Sequence, residues 1–125
     1  MGIAVSWDDD AQSIIRWEFE ADWNWNEFHL AFDRSLEMAK SVPYRIDVIP
    51  NVTHTDKLPA GALGQFKRIY DNSPENTRLI VITGGNRFVN TVIKTFAAIY
   101  RIPTWRTVKT LEDARALIRH DREHS

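Results

Sequence analysis

Residues 78–101 read RLIVITGGNRFVNTVIKTFAAIYR. Arg78, Leu79, Ile80, Val81 and Ile82 are almost all apolar and mostly branched. The run is too short for a helix and is bounded by glycine, the pattern of a strand buried on both faces of a sheet. Gly84 and Gly85 break it, and Asn86 is placed to cap a helix. Phe88, Val89, Val92, Ile93, Phe96, Ala97, Ile99 and Tyr100 then form a wide apolar stripe at helical spacing. A buried strand feeding a core helix through a Gly-Gly turn implies an α/β fold. It names no reaction.

Upstream, Ile3, Val5 and Trp7 alternate with Ala4 and Ser6, as in a half-buried strand. Asp8, Asp9 and Asp10 read as a solvated polar turn. From Ser13 to Glu20 the alternation resumes, with Ile15, Trp17 and Phe19 on one face and Ile14, Arg16, Glu18 and Glu20 on the other. The pair predicts an antiparallel hairpin with one wet face, so helices should cover mainly the opposite face. A first helix is expected within Ala21 to Lys40. Asn24 suits its N-cap, with Glu27 in capping-box position and Trp23 and Phe28 as the staple. Trp25, Phe28, Phe32, Leu36 and Ala39 trace its core face. A third strand, Tyr44 to Ile49, carries Arg45 and Asp47. Pro50 to Pro59 is a loop, and Ala60 to Asn72 a helix with Leu63, Phe66, Lys67 and Tyr70 along one side. Beyond the opening segment, Pro103 stops the helix and Thr104 to Val108 forms a last strand. Thr110 caps a final helix whose Leu111, Ala114, Leu117 and Ile118 face the core. His120 to Ser125 is expected to fray.

The expected order is therefore β-β-α-β-α-β-α-β-α, a mixed sheet of about five strands with an N-terminal antiparallel hairpin. At 125 residues this suits a single domain. Net charge is −1, with no basic excess to point to nucleic acid or an anionic membrane. Cysteine is absent, which excludes disulfides and thiolate chemistry. The opening MGIAVSWDDD lacks the features of a signal peptide, and no run approaches the roughly 20 apolar residues of a membrane span. A cytoplasmic location is the default expectation. Five tryptophans are the unusual feature.

The opening hairpin, the run Trp23-Asn24-Trp25-Asn26-Glu27-Phe28, the strand Ile46-Asp47-Val48-Ile49 and the helix Thr110-Leu111-Glu112-Asp113-Ala114 resemble a small bacterial family grouped with the SpoIIAA-like or STAS domains, the anti-sigma-factor-antagonist fold. The resemblance is one of pattern and element order over nearly the whole chain. It implies a regulatory or interaction module without enzymatic activity or cofactor. Some STAS domains accept a phosphate on a serine at the start of the helix after the third strand. The corresponding stretch here is Thr55-Asp56-Lys57-Leu58-Pro59-Ala60-Gly61. Gly61 matches the motif glycine, and Pro59 and Ala60 stand where the serines would be. Thr53 and Thr55 are the nearby hydroxyls.

Three places invite a chemical reading. Gly84, Gly85, Asn86 and Arg87 follow a strand and open a helix, so free amides, the helix dipole and Arg87 could hold an anion. The chain has neither GxGxxG nor a P-loop, and a tight capped turn explains the same residues. His54 and Asp56 alternate along a loop and could share one side, but a metal needs about three or four ligands and no third is evident. The Trp23–Asn26 run could stack a ligand, although core packing is the commoner fate of large aromatics. Arg16, Glu18, Arg45, Asp47 and Arg106 are expected together on the wet sheet face, paired across strands. Two functions follow. One is an interaction domain with a protein partner or a second copy. The other is a binder of a small anion, nucleotide or lipid at the Gly84–Arg87 turn.

Overall fold

The opening hairpin forms as its alternation implies: β1 (Ile3–Trp7) and β2 (Ile14–Phe19) pair antiparallel, with Val5 opposite Trp17. They belong to a computed structural model that describes residues 2–124. α1 (Trp25–Lys40) leads to β3 (Ile46–Asn51), α2 (Ala62–Asp71) to β4 (Thr77–Thr83), and α3 (Arg87–Ile99) to β5 (Trp105–Val108). α4 (Leu111–Glu123) closes the chain. The five strands lie in the order β1-β2-β3-β4-β5, and β2 to β5 are mutually parallel.

That sequential order decides where the helices go. Right-handed crossovers stepping repeatedly in one direction leave every connecting helix on the same face. One core accordingly joins Ile15, Trp17, Phe19, Val48 and Ile82 of the sheet to Phe28 of α1, Phe66 of α2 and Phe96 of α3. α4 follows the last strand and is free to take the other face. There Ala114 and Ile118 cover Ile14, Ile49, Leu79 and Val81. β4 is thus buried on both sides, as its composition requires.

The three expected caps are present. Asn24 accepts from the Glu27 amide at 2.9 Å while Glu27 accepts from the Asn24 amide at 3.2 Å, and Trp23 stacks on Phe28. Asn86 and Thr110 accept from Val89 and Asp113 amides at 2.8 and 3.0 Å. Four of the five tryptophans join one aromatic network with Phe19, Phe28, Phe66 and Phe96. The indole N–H groups of Trp17, Trp23 and Trp25 reach Ser35 Oγ, Thr55 Oγ1 and the Ala60 carbonyl. This is the core reading of the Trp-Asn-Trp-Asn run, since its two indoles tie α1 to the loop before α2.

Several expectations change. Asp8 is not a solvated turn residue: its side chain is 2% exposed and accepts from Arg16 and from Arg115 of α4. Asp9 caps the same turn through the amides of Ser13 and Ile14. Asp47 is not on a wet face either. It is 0% exposed beneath α4, receives two guanidinium nitrogens of Arg122, and accepts from the Leu79 amide at 2.9 Å. A register shift explains that last bond. Ile46 pairs with Thr77 but Val48 with Ile80, so β4 bulges by one residue opposite Asp47, whose carboxylate takes the displaced amide. Arg45 precedes β3 and is exposed. Arg16 pairs with Glu18 along its own strand at 3.2 Å. α4 runs to Glu123, with Asp121 and Arg122 engaged by Arg78 and Asp47. Ser125 lies outside the described residues.

Candidate functional site

The strand-to-helix junction is built tightly. Gly84 has φ +76°, and a Cβ there would stand 2.1 Å from Thr53 Oγ1. Glycine is required both for the left-handed backbone and for the space. Thr53 itself is held by Asn51 Oδ1 at 2.6 Å. A Cβ on Gly85 would meet Asn90 Oδ1 at 2.5 Å, and Asn90 Nδ2 donates to the Gly85 carbonyl. Asn86 spends its side chain on the Val89 amide and the Asp56 carbonyl, while Arg87 is exposed. The concave side of the turn is therefore filled by Thr53 and Asn90. The buried polar atom there without a hydrogen-bond partner, Asn90 Oδ1, is an acceptor, whereas an anion needs donors. The arrangement favours a tight capped turn.

In the loop between β3 and α2, side chains alternate outward and inward. His54 and Asp56 are both exposed, and Thr55 between them is buried. Thr55 Oγ1 donates to the Glu20 carbonyl and accepts from Trp23 Nε1, so it pins the loop to the start of α1. No group of three or more His, Cys, Asp or Glu side chains is gathered in metal-binding geometry among the described residues. His29 instead contacts Gln65 Oε1 at 2.7 Å and joins α1 to α2.

A different surface stands out. Of the side predicted for α2, Phe66 is buried, but its buried companion is Ile69, and Leu63 and Tyr70 are left 39% and 40% exposed. α3 buries Val89, Ile93 and Phe96 but leaves Phe88 54% and Ile99 59% exposed. Its stripe is wider than the sheet can cover. Of these, Leu63 and Phe88 line a groove of about 450 Å³ between the N-terminal halves of the two helices, running from Leu58, Pro59 and Ala60 past Leu63 to Phe88, Val92 and Thr95. Among the described residues, no charged side chain lines it. Lys57, Arg87 and Lys94, each next in sequence to a lining residue, are exposed, as is the acidic Asp56 beside Lys57; farther along the same segment lie the exposed Arg68, Arg101, Asp71 and Glu75. Asp71 is already held by Lys67 at 2.6 Å.

Beneath α2 lies a second feature, a void of about 70 Å³ whose walls include Trp17, Phe28, Phe66, Ile80, Ile93 and Trp105. The first turn of α2 lies beside it. Its N-cap is Gly61 at φ +86°, with no side-chain cap and no acidic residue in the turn.

On the opposite face α4 is fastened electrostatically. Hydrogen bonds from Arg115 hold the Asp8 carboxyl below the usual carboxylate range; burial pulls it back up, and Arg16 adds to the lowering. Sequence reasoning missed both this clasp and the groove. The groove did leave a signal: an apolar stripe on α3 too wide for one sheet contact, within a stretch from Lys57 to Arg101 that is basic while the whole chain is nearly neutral.

Neither a scan against protein-family models nor a search of curated proteins finds a match to this chain.

Proposed function

We propose that this chain is a non-enzymatic interaction domain of the STAS type, docking an amphipathic, acidic segment of a partner protein in the groove between α2 and α3. The observation that carries the reading is the groove's uncharged apolar lining beside exposed basic residues. Exposed apolar surface of this kind, rimmed by polar groups, marks interaction sites, and an amphipathic helix laid in a groove is a recurrent solution. Charge selects the occupant. A two-fold contact with a second copy would bring like basic flanks together, which is unfavourable, whereas acidic flanks on a partner complement them. The groove also begins at Pro59, Ala60 and Gly61, the stretch that corresponds by resemblance to the STAS serine motif.

A labelled peptide with leucines at helical spacing and glutamates between them tests this by fluorescence anisotropy. Binding should weaken with added salt, fall at least about tenfold when the glutamates become lysines, and vanish in Phe88→Asp. Absence of binding, or equal binding to Phe88→Asp, would overturn the proposal. Light scattering that shows a dimer dissolved by Phe88→Asp would overturn the acidic occupant in favour of a second copy.

A further inference from the structure

The void under α2 plays no part in peptide docking, and its chemistry differs from the groove's. We propose that it is a binding site for a short hydrocarbon group, the apolar end of a small neutral amphiphile that enters between α2 and α3 past Leu58. The walls decide the ligand class. Rings of Trp17, Phe28, Phe66 and Trp105 meet the branched chains of Ile80 and Ile93, and the exposed lining is entirely apolar. The exposed lining offers water no hydrogen bond and would strand a charged head group, while the indole N–H of Trp105 is buried without a partner. Size sets the limit. About 70 Å³ is roughly half the ~150 Å³ of an engineered void that takes benzene, so a short alkyl chain fits where a ring does not.

The route is set by one residue. Leu58, half-buried, is a wall both of the void and of the groove outside. It leads into the uncapped first turn of α2, where neither Gly61 nor Gly64 has a heavy atom within 4 Å of a Cβ position. The barrier at this end is thus one flexible side chain beside a turn that lacks a side-chain cap and is held through Trp25 to the Ala60 carbonyl and His29 to Gln65. A hydroxyl at the far end of the ligand would remain in the groove, where Thr91 and Thr95 supply polar side chains.

Methyl-labelled protein titrated with xenon and with 1-butanol tests the site by NMR. Both probes should shift methyls of Val48, Ile80, Ile82, Val89 and Ile93, and leave those of Ile14, Ile49, Leu79 and Val81 beneath α4 in place. Butanol should also shift Leu58 and saturate. Val48→Ile, which places one more methylene against the void, should weaken butanol about tenfold; Val89→Ile serves if that variant does not fold. Xenon binding without saturable butanol binding would make the void a packing defect and overturn the proposal. Equal shifts in both cores, or undiminished binding in the filled variant, would do the same. Xenon, which occupies the void alone, should bind Phe88→Asp as it binds the native chain, so this site and the peptide groove stand or fall separately.

Discussion

Replacing Asp47 tests the central device of the far face. Its carboxylate accepts from the Leu79 amide at 2.9 Å and from Arg122 Nε at 2.9 Å, with Arg122 Nη2 at 2.7 Å, and it is fully buried. Asp47→Ala leaves the bulge amide of β4 without an acceptor, which costs about 1–3 kcal/mol. It also strands the Arg122 guanidinium, and breaking a buried pair from one side costs about 3–5 kcal/mol in all. Arg122 retains access to solvent and bonds to Ser13, so the lower end, about 3 kcal/mol, is expected. For a domain of this size that lowers Tm by about 12 °C. Asp47→Asn keeps an acceptor for the Leu79 amide and loses only the charge, so it should cost about 1–2 kcal/mol less. Urea unfolding followed by tryptophan fluorescence measures both, with an unchanged slope showing that the same surface is exposed. A loss below about 1 kcal/mol for Asp47→Ala would refute the buried-pair argument. Equal losses for Ala and Asn would refute the role assigned to the bulge.

Three further outcomes are expected. Arg115 and Arg16 lower the folded-state pKa of Asp8, so its contribution is present above the ordinary carboxylate pKa of about 4 and is lost as pH falls through the folded value. The stability gap between the native chain and Asp8→Asn, measured by urea unfolding from pH 7 downward, should therefore close at low pH; a gap that stays constant would count against the clasp. Gly84→Ala should cost more than the roughly 1–2 kcal/mol of left-handed backbone alone, because of the collision with Thr53, and adding Thr53→Ala should recover only the steric part. Asn24→Ala should cost about 1 kcal/mol by opening the capping box, with thermal unfolding as the readout.

Elements whose signals lie within a few residues were legible. Asn24, Asn86 and Thr110 cap where their side chains can reach the third amide onward, and the hairpin faces follow from alternation alone. Order along the chain also conveyed the parallel sheet. What escaped was set by distant segments. Asp8 and Asp47 look solvated until Arg115 and Arg122, from the far end of the chain, settle over them. α2 carries apolar residues around much of its circumference; spacing groups Phe66 with Leu63 and Tyr70, whereas packing turns Phe66 inward with Ile69 and leaves the other two at the surface. The groove is the remainder of that choice. The Gly-Gly turn was correctly placed, but its filling by Thr53 and Asn90 depends on β3 and on the first turns of α3 meeting in space.

The strand order has a consequence for how the molecule assembles. Each new strand adds beside the one made just before it, so no strand ever has to slip between two already paired. During synthesis the sheet can grow outward from the hairpin one edge at a time. α4 breaks the pattern, because its arginines grip Asp8 and Ser13 of the opening hairpin, 107 and 109 positions back in sequence. The sheet is locked only when α4 closes back over the hairpin's turn, so the first turn and the last helix are fastened together as one late step.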